Sequence, residues 1–454
     1  MTSQHDPSDG VAQLTELMAH GESRQAELRS PAPAEDPSIR RRRRRRRALV
    51  TATVLVVVLA IAGGYTGWAL TAPLAPPEGA STPPAARVMP AVQLALPPDG
   101  SSAISVAGGE EYFGPDAAGI WAGVAPGEQR TMASISKVIS ALVILEKKPL
   151  ASADDAGPTI TFSKTDHALY DKYYVMGASI AAMPTGGTMT ERDALETMLV
   201  ISACNYAEAV TTWAFGSQEA FLSATRHWLE ANGLSGTRLV EPTGISPRNV
   251  STPADLIALG RIAMANPTVA QIVGMQALDV PGLNPQSNTN NLLGKDGIRG
   301  IKTGTLGEDG TNLLYSASLE VGIGHPLEVT GVVMGGFSRA TVGRDVLALL
   351  ESIRAGFHDV RVADKGDVLG TYTTAWGESA QMVLADDASV FTWSDTPIEV
   401  DMETTALRTG TAGERVGTVT WSAGTSTVTV PIVLDATIEQ PDAWWRLTHP
   451  GELG

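Results

Sequence analysis

In the segment Ser134-Ile135-Ser136-Lys137 a hydroxyl and an amine stand three residues apart. On a helix, positions i and i+3 share a face, with Cβ atoms about 5–6 Å apart. A serine hydroxyl is a weak nucleophile until a base lies within hydrogen-bond reach. A lysine serves as that base only where burial or a second cation makes its neutral form available. A helix start also offers backbone N–H groups without intrahelical partners, suited to stabilising an oxyanion. A second segment, Lys302-Thr303-Gly304-Thr305, sets a cation and two hydroxyls around a residue without a side chain. On a strand edge this suits an extended peptide ending in a carboxylate, and Gly304 lets the peptide backbone come close. Between them lies Ser202-Ala203-Cys204, 68 residues after Ser134 and 100 before Lys302 at its serine. Cys204 is the only cysteine of the chain, which excludes an internal disulfide and any cysteine-based metal cluster. The seven histidines are scattered, with no pair at ligand spacing, so neither a metal nor another cofactor is expected.

These three segments need elements to position them. Val138, Ile139, Leu142, Val143 and Leu145 give "SISKVISALVILEKK" the pattern of a buried helix. "TERDALETMLV" starts with Thr190 and Asp193 at capping-box spacing. "SQEAFLSATRHWLEANGL" is amphipathic and stops at Asn232-Gly233, and "TPADLIALGRIAMANP" runs from Ser251-Thr252 to Pro267. "SAISVAGGEEYFG", "GIWAGVAPGE", "GIRGIKTGT", "NLLYSASLEVG" and "PLEVTGVVMGG" read as strands, and "GRDVLALLESIRAGF" as a closing helix. Strands, a helical block, strands and a helix predict an α+β domain over residues 99–358, with helices on an antiparallel sheet. From 359 to 454 short Val/Thr/Trp-rich segments predict a small all-β domain, with Trp444 and Trp445 packing inside it.

The N-terminus speaks to location. Residues 1–47 read as a disordered segment ending in eight consecutive arginines, Arg40 to Arg47. Residues 48–70 carry no charge and exceed the roughly 20 residues that a bilayer span needs. Flanking arginines stay cytoplasmic, so one N-terminal transmembrane helix with its C-terminal side outside is expected; a cleaved signal peptide has a shorter apolar core. Residues 71–98, rich in proline, read as a tether. The whole chain has a net charge of −16, and its first 70 residues hold ten arginines against seven acidic residues. The exported part is therefore more acidic still, which argues against nucleic acid as a partner.

S-x-x-K, S-x-N and K-T-G in this order mark penicillin-binding proteins and serine β-lactamases, and here S-x-x-K at Ser134, Ser202-Ala203-Cys204 in the place of S-x-N, and K-T-G at Lys302 follow that order. Around them, "MASISKVISALVILEKKPL", "MLVISACNYAEAVTTWA", "EPTGISPRNVSTPADL" and "GIRGIKTGTLGEDGTNLLYSA" extend the likeness. Residues of roughly 100 to 358 resemble the serine D-alanyl-D-alanine carboxypeptidases, the low-molecular-mass penicillin-binding proteins, which often carry a C-terminal β domain. The resemblance implies a β-lactamase/transpeptidase-like fold and an acyl-serine hydrolase that removes the terminal D-Ala from peptidoglycan stem peptides. It implies Ser134 as nucleophile, Lys137 as its base and Ser202 as proton relay. Lys302, Thr303 and Thr305 would hold the substrate carboxylate beside Gly304, with the N–H groups of Ser134 and Thr305 as oxyanion hole. β-Lactams would be covalent inhibitors, and the location would be the outer face of a bacterial cell membrane.

Two features depart from that family. Members often attach through a C-terminal amphipathic helix, which "RLTHPGELG" does not provide, so the N-terminal span would take that role. Cys204 stands in the substrate-binding wall where the family usually has asparagine; a thiol is a weak donor and has no amide carbonyl. That change supports an alternative of the same fold with little turnover, acting as a wall-binding or scaffold protein. A β-lactamase is the other alternative, with Glu241 as the nearest candidate to activate a deacylating water, although "EPTGISPRN" lacks Glu-x-x-x-Asn spacing.

Overall fold

A computed structural model describes residues 37–85, 89–113, 119–307 and 310–453. Most of the segment read as disordered, residues 1–36, lies outside the described residues. The chain divides into two compact units, one of residues 1–76, 375–377 and 440–454, the other of residues 77–374 and 378–439.

In the larger unit five antiparallel strands form the central sheet, in the order Ile298–Thr305, Thr311–Leu319, Leu327–Gly336, Ser101–Ala107, Ile120–Val124. Strand side chains alternate between faces, and here both faces are covered. Ile301, Leu314, Val332 and Met334 join a core with Ile135, Ile139, Leu195, Met198 and Tyr206 from the helical block. Leu313, Tyr315, Val329 and Val333 join a second core with Val342, Val346, Leu349 and Ile353 of the helix Arg339–Gly356. Each of these buried aliphatic side chains contributes about 1.5–3 kcal/mol. The expected mixed helix and sheet domain is thus present, with the closing helix on the face opposite the helical block.

The sequence signals for helix starts correspond to side-chain caps. Thr190 Oγ1 accepts from Asp193 N (3.1 Å) at Glu191–Val200, and Thr252 Oγ1 from Asp255 N (3.1 Å) at Pro253–Ala265. Ser217 caps Gln218–Ala231 in the same way, and Gly233 beyond it adopts φ +69°.

The β-rich region follows. Its six-stranded sheet has the order Glu78–Ser81, Val368–Thr373, Ser379–Leu384, Ser426–Leu434, Arg415–Ala423, Glu399–Thr404, and Phe357–Ala363 pairs separately with Ala388–Trp393. The first of these strands comes from the segment read as a tether. Strand Val368–Thr373 would otherwise be an open edge, and residues 78–81 satisfy its free backbone groups. Phe113, Phe357 and Trp393 meet edge-on at centroid distances of 5.0–6.1 Å, and Tyr112 Oη lies 2.7 Å from Thr425 Oγ1. This aromatic seam joins the β-rich region to the second core.

The smaller unit centres on the helix Pro37–Thr71, the one helix among the described residues long and apolar enough to cross a membrane. It begins well before residue 48 because arginine is a good helix former, and so includes the whole arginine run. Its last carbonyls, which no intrahelical donor reaches, are capped from the short helix Ala443–Thr448. Arg446 Nη1 donates to Ala69 O and Leu70 O (3.4 Å each) and to Ala72 O (2.9 Å), and Tyr65 Oη to Leu447 O (2.6 Å). Trp444 and Trp445 are therefore not core residues of the β domain. Trp445 packs between Trp376 and His449, and Trp444 is exposed.

Gly331 sits opposite Tyr315 across the sheet, and a Cβ at Gly331 would fall 2.1 Å from the ring of Tyr315. That ring is buried between rigid strands. Gly331→Ala should therefore cost about 1–3 kcal/mol, read as a lower midpoint in urea unfolding.

Candidate active site

The turn before the first long helix of the block carries Ser134. Residues Ala133–Ile135 form a 3-10 turn that runs into the helix Ser136–Lys147. Ala133 adopts φ +45°, a region uncommon for a residue with a side chain. The next turn brings Lys137 under the hydroxyl, with Lys137 Nζ 3.1 Å from Ser134 Oγ. Lys137 is completely buried, and a buried amine requires partners. It donates to Thr243 O at 2.6 Å and to Cys204 Sγ at 3.3 Å.

Cys204 is the first residue of the helix Cys204–Phe215, and its N–H donates to Ser179 O (2.8 Å). Between that helix and Glu191–Val200, Ser202 adopts φ +66°, a conformation rare for a residue with a side chain. The Oγ of Ser202 is buried with no hydrogen-bond partner among the described residues. The turn thus holds Ser202 in strained backbone and aims Cys204 at Lys137. Asn205 does not replace the missing motif asparagine. Its amide is fully buried and spent on Ala181, accepting from N (3.1 Å) and donating to O (2.8 Å).

The strand Ile298–Thr305 supplies the opposite wall. Gly304 packs on the serine turn so tightly that a Cβ there would lie 3.0 Å from Ala133 Cβ and 3.1 Å from Ser134 N. Lys302 Nζ donates to Thr289 Oγ1 and Thr303 O (3.3 Å each), and Thr303 Oγ1 donates to Thr289 Oγ1 (2.8 Å). Thr305, at the end of the strand, is exposed. Burial drives the ammonium of Lys302 well below the usual lysine range, and the positive charges of Lys137 and Arg339 add to the effect. The geometry therefore gathers Ser134, Lys137 and Cys204 directly, presses Gly304 on the same turn, and holds Lys302 and Thr303 through Thr289. Ser202 enters the wall without a hydrogen bond to either Ser134 or Lys137.

Three contributors escaped the sequence reading. Thr243 acts through its backbone carbonyl, and Thr289 lies in a loop with no motif of its own. Asn249 donates to Ser136 Oγ (3.1 Å) and to Glu241 Oε1 (2.9 Å). The turn-forming Pro, Gly and Asn of "EPTGISPRN" were the available signal. Glu241 itself is not free to activate a water, because both carboxylate oxygens accept hydrogen bonds from its own loop. Among the described residues no cluster could hold a metal ion.

Fold and site together define a transpeptidase-like domain with a serine and a buried lysine at its centre. Residues 120–338 match the model of peptidase family S11, described as D-alanyl-D-alanine carboxypeptidase, so the resemblance read from the three motifs is borne out. A D-alanyl-D-alanine endopeptidase of Pseudomonas aeruginosa is 29% identical over 233 residues, 50% of this chain and 70% of that protein. One from Escherichia coli is 28% identical over 235 residues, again 50% and 70%. Penicillin binding protein 5 from Haemophilus influenzae shares the fold at TM-score 0.50 and 16% identity, covering 77% of this chain and 98% of its own. Penicillin binding protein 6B from Escherichia coli does so at TM-score 0.50 and 19% identity, covering 78% and 100%.

The lowered folded-state pKa of Lys302 sets a sign for stability. The unfolded chain binds a proton at this lysine below its ordinary pKa of about 10.4, whereas the folded chain binds it only at lower pH. This group's contribution to stability is thus full above that value and is lost as pH falls. Lys302→Met removes the loss, so its gain in unfolding free energy over wild type should grow from pH 10 to pH 7 in urea titrations.

Proposed function

We propose that the chain is a membrane-tethered serine DD-carboxypeptidase that cleaves the terminal D-Ala from peptidoglycan stem peptides and is acylated by β-lactams. The observation that carries this reading is the placement of a fully buried Lys137 amine 3.1 Å from Ser134 Oγ. The hydroxyl attacks the carbonyl carbon of the penultimate D-Ala as Lys137 takes its proton. The N–H groups of Ser134 and Thr305 receive the oxyanion. A proton then passes to the departing amine, with Ser202 as relay, and D-Ala leaves. Water attacks the acyl-Ser134 ester, the proton returns, and the serine is released. The substrate carboxylate pairs with Lys302, Thr303 and Thr305. Its negative charge favours the ammonium form of Lys302, which burial otherwise disfavours.

The helix Pro37–Thr71 supports the tether. Its apolar part after Arg47 holds 24 residues, about 36 Å long at 1.5 Å per residue, enough for a hydrocarbon core of about 30 Å. The arginines would stay cytoplasmic and residues 77–439 would work outside. A second reading, cleavage of the cross-link between stem peptides, is favoured by the names of both relatives, which are endopeptidases.

Incubation with a pentapeptide ending in D-Ala-D-Ala and with a cross-linked muropeptide dimer tests the proposal. Release of free D-Ala supports the carboxypeptidase, conversion of the dimer to monomers the endopeptidase. A fluorescent penicillin should label the wild type and not Ser134→Ala; labelling that survives the substitution removes Ser134 as nucleophile. Cys204→Asn supplies a stronger acceptor to Lys137 and should speed acylation about tenfold, the equivalent of 1.4 kcal/mol, in stopped-flow measurements.

A further inference from the structure

We propose that Glu241 is a positioning residue that orients the amine of Lys137 by fixing the Thr243 carbonyl, a task made necessary by the cysteine at position 204. The inference rests on the acyl-serine reading above.

A neutral primary amine has two N–H donors and one lone pair. To take the proton of Ser134, the lone pair must face Ser134 Oγ, so both N–H groups must be held elsewhere. Apart from Ser134 Oγ itself at 3.1 Å, the acceptors are Thr243 O at 2.6 Å and Cys204 Sγ at 3.3 Å. Sulfur is a weak acceptor, so the orientation depends mainly on the carbonyl. That carbonyl belongs to a loop without regular secondary structure, and its aim is only as firm as the loop.

Glu241 makes the loop firm. Its Oε2 accepts from Thr243 N (2.7 Å) and Thr243 Oγ1 (2.6 Å). Its Oε1 accepts from Gly244 N (2.8 Å), Ser246 N (3.1 Å) and Asn249 Nδ2 (2.9 Å). One carboxylate thus gathers the amides that follow it, as backbone N–H groups of a half-buried loop require. The clamped loop is then tied to the helix of Lys137 on both sides of that residue. Asn249 Nδ2 donates to Ser136 Oγ (3.1 Å), and Ser140 Oγ donates to Pro242 O (2.9 Å). Gly244 closes on the serine turn, where a Cβ would lie 1.9 Å from Ala133 O. These contacts hold the loop that carries the Thr243 carbonyl, and among the described residues Glu241 makes no hydrogen bond to Ser134 or Lys137.

The test uses the full chain in detergent and a penicillin as reagent, separating the noncovalent dissociation constant from the first-order acylation constant. Glu241→Gln keeps the shape but turns an N–H₂ toward N–H donors. The acylation constant should fall about ten- to hundredfold, as a small misplacement of a catalytic group does, with the dissociation constant within about twofold of wild type. In a Cys204→Asn background, where a stronger acceptor shares the task, the same substitution should cost far less, a non-additivity that marks coupled residues. Equal losses in the two backgrounds would reduce Glu241 to a structural part of the loop, and wild-type acylation by Glu241→Gln would overturn the proposal outright. Should Glu241→Gln fail to fold, Thr243→Val removes one bond to Oε2 and keeps the carbonyl. It should show a smaller loss with the same rescue, and equal loss in both backgrounds again counts against the inference. A wild type that no penicillin acylates refutes the acyl-serine reading instead.

Discussion

A lysine amine with no access to water organises this domain. Lys137 is completely buried, and an amine in that position costs several kcal/mol unless acceptors surround it. The acceptors come from three places far apart in the chain: the serine turn, the Ser202–Cys204 turn and the loop after Glu241. Each place is deformed to reach it. Ala133 and Ser202 both take positive φ, and Gly244 is needed where the loop meets the turn. Strained backbone of this kind persists only where the surroundings over-determine it. Here they do, because Ile139 of that helix packs in one core with Leu195 and Tyr206 of the helical block and Ile301 and Leu314 of the sheet.

The same burial links the two lysines. Lys302 sits on the facing strand, fully buried, and the charge of Lys137 is one of the causes that hold its ammonium form down. The charge of Lys137 disfavours the ammonium form of Lys302, an effect that a nearby carboxylate would relieve. Thr289 takes hydrogen bonds from both Lys302 and Thr303, so these two side chains are held in place by the fold itself. Preorganisation of this sort, with groups already aimed, is how an active site avoids reorganising during reaction.

Cys204 offers Lys137 a sulfur, a weaker acceptor than an amide or carbonyl oxygen. The thiol keeps the position, at the first turn of its helix and within 3.3 Å of Lys137, but gives less as an acceptor. The neighbouring Asn205 turns its amide to Ala181 instead, accepting from its N–H and donating to its carbonyl.

Local sequence determined a good deal. The caps at Thr190 and Thr252 appear as hydrogen bonds, "NLLYSASLEVG" as a strand buried on both faces, and two of the motifs as neighbours, with Gly304 packed on the turn of Ser134. These are short-range signals, carried by hydrogen bonds and periodicities within a few residues. Only the tertiary structure decided what distant backbone does. Nothing in "EPTGISPRN" states that the Thr243 carbonyl meets a lysine 106 positions earlier, because a carbonyl has no residue-specific signature. Nor did the proline-rich tether reveal a strand at residues 78–81, whose partner edge lies nearly three hundred residues on, or Arg446 of "DAWWRL" a helix end to cap. Residue types declare which groups are available for chemistry; which of them meet depends on backbone geometry and burial that no short stretch encodes.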